Sequence, residues 1–332
     1  MDRNFILGIF KNTKAEKGVV PVAILVILLP LVIAGVFLIN PQNLQKVVQK
    51  FSPKISPSPT ATPSPSISPS PTSSPTVKPT NSPSPKSSAS PQSTPAPFTN
   101  IPSGTGYSQV SVETERGTFG ISLVTIDMAG SKMITDTANE GDCNDNCATL
   151  SLADFVFRNS GFAGIHGTYF CPEGYAECVS KKDSFDFPVY NSRLGRWING
   201  GNLFWNDRSI IYYDGSGMHF LRNANSFSSG LTAGIVNSPG LVDNWNVIAG
   251  EFPLSDKQKA KGAKGGIGIR GNMVYLVTAS SVDMLDLAYI FKKLGCTSAL
   301  NLDGGGSTAL WFGGYKAGPG RNIPNAVIFA VK

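Results

Sequence analysis

The sequence predicts an α+β fold: a mostly antiparallel curved sheet with a few packed helices, preceded by one transmembrane helix and a disordered Pro/Ser/Thr-rich linker. Three observations predict it. Val19 to Leu38 is an apolar run without a charge. Phe51 to Pro97 is dominated by Ser, Pro and Thr. In the remaining C-terminal part, short strand-like segments separated by Gly, Asn and Ser turns outnumber helical ones.

Charge divides the chain the same way. Of 332 residues with net charge +6, Met1 to Thr105 hold nine Lys/Arg and two Asp/Glu, a balance of +7. Gly106 to Lys332 hold nineteen and twenty, a balance of −1. The basic character therefore belongs to the N-terminal part. A nearly neutral folded part argues against nucleic acid as a partner, because such a domain carries its excess Lys/Arg on the folded face.

Residues 19–38 have about the 20 residues needed to cross a bilayer core. A cleaved signal peptide would have a shorter apolar region ending in a small-residue cleavage site, and none follows here. The segment is therefore expected to be an uncleaved single-pass anchor in the cell membrane. Arg3, Lys11, Lys14 and Lys17 precede it, and Lys46, Lys50 and Lys54 follow. This count favours a cytoplasmic N-terminus over residues 1–18. Residues 39–105 then form the linker. Their repeated Ser/Thr-Pro steps cannot bury a core and make an extended, semi-rigid spacer. Such a stalk would hold residues 106–332 outside the cytoplasm.

Within that domain, Ser108 to Glu113, Gly117 to Ile126 and Lys132 to Thr135 read as strands. Leu152 to Asn159 reads as a helix capped by Ser151, with Asp154 at the capping-box position and Gly161 as its end. Gly164 to Phe170 reads as a buried strand. Ile210 to Tyr213, Met218 to Leu221, Leu231 to Val236 and Met273 to Ala279 follow as short antiparallel strands. A helix is expected from Ser281 to Leu294, capped by Ser280 and stopped by Gly295, with Met284, Leu287, Ala288 and Phe291 as its apolar stripe. The strands Ser298 to Leu302, Ala309 to Phe312 and Ala326 to Val331 complete the domain.

Five cysteines lie in this domain. Cys143 and Cys147 close one polar loop, and Cys171 and Cys178 bracket another. That placement suits local disulfides in an oxidising compartment. The spacings are poor for a zinc knuckle, so no metal site is read. Cys296 is left over and reads as a buried thiol.

The most informative segment is Asn301-Leu302-Asp303-Gly304-Gly305-Gly306-Ser307-Thr308. A strand delivers Asp303 to its end. Three glycines can then take positive φ and turn successive N–H groups into an anion-binding nest. A carboxylate beside a nest and hydroxyls suits chemistry on an anionic ester. Asp-Gly is also a strong turn signal, and backbone physics alone leaves a tight hairpin equally open.

LGCTSALNLDGGGSTAL (Leu294 to Leu310) with GRNIPNAVIF (Gly320 to Phe329) resembles the core signature of the phosphodiester glycosidase family. AGIHGTYF (Ala163 to Phe170), GIVNSPGLVDN (Gly234 to Asn244) and KGGIGI (Lys264 to Ile269) are similar to further family blocks. His166 stands where the family pattern has Asn, and Lys264 where it has Arg. The resemblance implies a carbohydrate or sugar-phosphate substrate; no cofactor is read from the sequence, which leaves dependence on a divalent metal open. It implies Asp303 as base or nucleophile, and His166 as the acid or as a residue orienting the substrate. The phosphate would be held by Gly304, Gly305, Gly306, Ser307 and Thr308, with Lys264, Arg270 and Asn301. The rival reading is a non-catalytic wall- or polysaccharide-binding module on the same fold.

Two further patterns stand in the same domain. Gly266 to Gly271 fits G-x-G-x-x-G, but a strand pattern follows it where a dinucleotide fold needs a helix. Tyr190, Trp197, Phe204 and Trp205 could form a sugar-stacking platform or ordinary core, and core is the simpler reading. His166, on residue pattern alone, also reads as a satisfied core histidine.

Overall fold

A computed structural model describes residues 101–332 except 204–207. The expected anchor (residues 19–38), nearly all of the linker, and Phe204 and Trp205 lie outside the described residues. Among the described residues no helix is long and apolar enough to cross a membrane.

Among the described residues the domain is sheet-rich α+β with every strand pair antiparallel, and it has three sheets in place of one. Sheet 1 runs in the order β1 (Gly106–Thr114), β2 (Gly117–Asp127), β13 (Met273–Val282), β12 (Gly262–Arg270), β14 (Ser298–Gly304), β10 (Gly240–Asp243), β11 (Asn246–Val247). Sheet 2 runs β16 (Tyr315–Ala317), β15 (Leu310–Phe312), β4 (Ala163–His166), β17 (Asn325–Val331), β3 (Ser131–Thr137). Sheet 3 runs β6 (Arg196–Ile198), β5 (Val189–Asn191), β9 (Ala233–Asn237), β7 (Ser209–Tyr213), β8 (Met218–Leu221).

Period-2 alternation explains how these layers pack. Val274, Leu276, Leu300 and Leu302 of sheet 1 enter one core with Ile165, Val327 and Phe329 of sheet 2 and Val189, Ile211 and Ile235 of sheet 3. The opposite face of sheet 1 meets helix α3 (Met284–Lys293), whose stripe Met284, Leu287, Ala288 and Phe291 is fully buried. Each large apolar side chain seated there contributes about 1.5–3 kcal/mol. Helix α1 (Leu152–Arg158) covers the outer face of sheet 2 with Leu152, Phe155 and Val156. A small third helix, α2 (Asp256–Lys259), starts from a Ser255/Gln258 capping box.

The Gly266–Gly271 pattern turns out to be packing. A Cβ on Gly266 would lie 2.9 Å from the Phe291 ring, and one on Gly268 2.8 Å from Cys296 Sγ. The glycines therefore let α3 sit close on β12, and Gly271 turns the β12–β13 hairpin at φ 56°. Disulfides join Cys143 to Cys147 and Cys171 to Cys178, and Cys296 is a buried free thiol. Tyr190 and Trp197 pair edge to face at 5.5 Å on sheet 3, and Trp197 packs on the cluster of Ile210, Ala224 and Val236.

Several boundaries differ from expectation. The α3 cap is Asp283, boxed with Asp286, because Ser280–Val282 continue β13. After α1 the left-handed residue is Ser160, at φ 51°. Gly161 serves packing instead, since a Cβ there would run into Ile328. β4 stops at His166, because Gly167 comes so close to Asn325 that a Cβ would overlap its side chain.

Candidate active site

β14 belongs to sheet 1, and β15, six residues on, to sheet 2. The segment Asp303–Thr308 thus bridges the two sheets. The three glycines do not form a run of left-handed residues; each has its own reason. Gly304 is extended, and a Cβ on it would lie 2.9 Å from the Ala263 carbonyl oxygen. Only Gly305 has positive φ, at 60°. Gly306 leaves room for the Arg321 guanidinium, which a side chain there would strike. Arg321 also donates its backbone N–H to the Gly306 carbonyl at 2.8 Å.

His166 anchors this segment from beneath. It is wholly buried, and burial pushes its pKa down, against the opposing pull of the Ala309 and Asp303 backbone. Nε2 faces the Asp303 carbonyl at 2.6 Å, and Nδ1 lies against the Ala309 backbone, 3.0 Å from its carbonyl oxygen and 3.2 Å from its nitrogen. Both ring nitrogens are engaged with backbone, and His166 is not in the cleft wall. Its geometry fits a positioning role rather than an acid touching substrate. Gly167 accepts the Asp303 N–H at 2.9 Å, and Asn237 ties the Thr168 hydroxyl to the Asn301 carbonyl.

Above the segment opens a cleft of about 710 Å³, a size suited to a small glycoside. Its strand wall holds Lys264, Asp303, Gly304, Gly305 and Ser307. Its loop wall comes from the Cys171–Cys178 loop, with Tyr175 and Glu177, and from Ser255 to Lys261. Lys257 lies 3.2 Å from Glu177 and 4.4 Å over the Tyr175 ring, and Arg321 lies 5.5 Å from the same ring. Glu177 is thus the second carboxylate of the cleft, paired at its rim.

Asp303 is half-buried, and burial pushes its carboxyl up to about 6. The Ser307 hydroxyl, the Gly304 N–H at 2.7 Å, and the charges of Arg321 and Lys257 hold it back from rising further. The result is a carboxylate that titrates close to neutrality among cations, a state suited to proton transfer.

The remaining expected residues separate. Lys264 reaches the cleft, but its ammonium already donates to the carbonyls of Lys257 (3.3 Å) and Ala260 (3.2 Å), tying β12 to the α2 segment. Asn301 sits deeper, donating to Tyr169 Oη at 2.8 Å. Thr308 turns to a separate open groove shared with Gly305. Arg270 is not brought to the site at all. It lies six residues along β12 from Lys264, about 20 Å by strand rise, where it binds Tyr275 Oη and the Leu294 carbonyl. Tyr169, Tyr175, Lys257, Gln258 and Arg321 join the site without having been expected there. Ser255-x-x-Gln258 is a readable capping signal for the segment that carries two of them.

Residues 183–330 match the sequence model of the phosphodiester glycosidases. No curated protein matches the chain by sequence. Among solved structures, the domain is similar to the catalytic domain of zebrafish N-acetylglucosamine-1-phosphodiester alpha-N-acetylglucosaminidase, auto-inhibited by its pro-peptide. That match has TM-score 0.50 and 12% identity, and covers 68% of this chain and 82% of that one. It is also similar to a hypothetical protein from Synechocystis, with TM-score 0.47 and 15% identity over 69% of this chain and 62% of that one.

Proposed function

The chain carries a phosphodiester glycosidase-like domain, and from that premise we propose that it is a membrane-anchored extracytoplasmic hydrolase releasing a sugar from a sugar phosphodiester of a surface or wall polymer. A carbohydrate-related substrate follows from the domain itself. The observation that carries the activity is Asp303, with its carboxyl at about 6 in a cleft rimmed by Lys257 and Arg321.

A phosphodiester leaving group is acidic and needs little protonation, so the reaction calls for one well-placed base and cationic stabilisation of the departing phosphate. Asp303 takes a proton from water. The water oxygen bonds to the anomeric carbon as that carbon's bond to the bridging phosphate oxygen breaks, and the bonding pair leaves on the phosphate. Arg321 and Lys257 offset the charge of that phosphate. Ser307 and the Gly304 N–H orient the carboxylate. The two disulfides support an oxidising location, in keeping with an anchor at residues 19–38 and a cytoplasmic segment at residues 1–18.

The test is release of free N-acetylglucosamine from N-acetylglucosamine 1-(methyl phosphate) by the full-length chain, and its loss in Asp303→Asn. No release by the parent would remove the hydrolase reading. The backbone-tied Lys264 favours the second reading, a binding module, and glycan binding without release would then establish it.

A further inference from the structure

The cleft contains a phenol whose proton has no acceptor among the described residues. Tyr169 Oη accepts a hydrogen bond from Asn301 Nδ2 at 2.8 Å and another from Gln258 Nε2 at 3.1 Å. Turning either amide to offer its oxygen would set that oxygen against the Ser238 carbonyl. Both nitrogens also face the Ser238 carbonyl, at 3.1 Å and 3.3 Å, and a carbonyl can only accept. Gln258 Oε1 is fixed separately, accepting the Ser255 N–H at 2.9 Å in the α2 capping box. The phenol oxygen is therefore an acceptor twice over, and its single hydrogen must point elsewhere. The residue lines the cleft beside Asp303. Two N–H donors on the oxygen polarise the O–H bond and strengthen it as a donor. Burial, together with the nearby Asp303 charge, pushes the phenol up to about 12, so it keeps this proton at any physiological pH.

We propose that Tyr169 is a substrate-binding donor, aimed by Asn301 and Gln258 at an oxygen that can only accept. Two parts of a sugar phosphodiester present such an oxygen: the phosphate and an N-acyl carbonyl. This assignment also gives Asn301 its role, as a positioning residue acting through Tyr169. The proposal rests on the cleft being the substrate site, and it concerns binding, so it can be tested apart from turnover.

The experiment uses the full-length chain with ¹³Cζ-labelled tyrosine, titrated in turn with methyl phosphate and with N-acetylglucosamine. The Tyr169 resonance is assigned by its absence in Tyr169→Phe. We expect one of the two probes to shift that resonance and to bind Tyr169→Phe at least about 10-fold more weakly. The probe that does so identifies the oxygen. In turnover of N-acetylglucosamine 1-(methyl phosphate), the same variant should lose about 10-fold or more in kcat/KM, with the pH midpoint set by Asp303 unchanged. A shift of the resonance by neither probe overturns the proposal, as does equal affinity of Tyr169→Phe for the probe that shifts it or failure of both probes to bind. Probe binding that depends on Tyr169 in a chain that releases no sugar would sink the hydrolase reading alone.

Discussion

The two walls of the cleft are built differently. The strand wall is backbone against backbone: β12 paired with β14 across a register shift between Lys264 and Gly266, Asp303 N–H on the Gly167 carbonyl, and His166 clamped to Asp303 and Ala309. Glycines permit each close approach. The loop wall is side chain against side chain: Glu177 with Lys257 at 62% and 76% side-chain exposure, Tyr175 under Lys257, and one disulfide closing the loop. Exposed pairs of this kind are screened by solvent and add little to stability. A carboxylate that moves protons needs the first kind of support, and a surface that selects among substrates can use the second.

Substitutions that respect this division should sort by wall. The largest effect belongs to Asp303→Asn, which should lower kcat/KM about 10²–10⁴-fold. In the parent, kcat/KM should rise with pH to a plateau above about 6, since the carboxylate is the working form. The same change should raise stability. The Asp303 pKa lies above its ordinary 3.8, so its stabilising protonated form is fully present below that value and lost as pH rises through about 6. Denaturant melts at pH 8 should show Asp303→Asn about 1–2 kcal/mol more stable, with the gap closing near pH 4. A variant equally inactive but less stable at pH 8 would mean that Asp303 is structural.

Next comes Gly167→Ala, whose Cβ would overlap the Asn325 side chain and lie 2.6 Å from its carbonyl oxygen. It should cost about 2–4 kcal/mol and lower Tm by roughly 10 °C, without any contact to substrate. A wild-type melting curve would show the strand wall to be softer than its geometry.

Opening the loop wall by Cys171→Ser with Cys178→Ser should raise KM about 3- to 10-fold while kcat stays within about twofold, the pattern of lost uniform binding. Turnover slowed by about two orders of magnitude would instead erase the distinction between the walls. The smallest effect is assigned to Cys143→Ser with Cys147→Ser, a bond outside the cleft lining. Thermal melting should report about 2 kcal/mol lost and steady-state kinetics no change. A shift in KM matching that of the Cys171–Cys178 pair would show that the loop wall is not a local unit.

The same contrast marks what the sequence made legible. The longer strands and both longer helices, both disulfides, the α1 capping box and the strand delivering Asp303 follow from periodicity, caps and loop cysteines, all of them local signals, whereas short pieces such as β5, β6, β11 and α2 do not. The sorting of strands into three sheets is set by long-range pairing, such as β2 with β13, and leaves no local mark. Asp303 was legible because its glycines are adjacent to it. Arg321 and Tyr169 stand within segments that resemble the family, yet only the crossing from sheet 1 to sheet 2 brings them beside it. Arg270 shows the reverse error: near Lys264 in sequence, it is carried away by the straightness of a strand.

One strand of sheet 2 bears on how the protein is made. β17, Asn325 to Val331, lies between β4 and β3 and hydrogen-bonds to both. Those neighbours have no partnership with each other until it arrives. Asn325 also supplies the oxygen that accepts the Thr168 N–H under the active segment. The sheet that supports Asp303 therefore cannot close on a nascent chain while β17 is still in the ribosome. Assembly of that sheet must await its emergence, whereas each cysteine pair closes a loop of its own upstream of it.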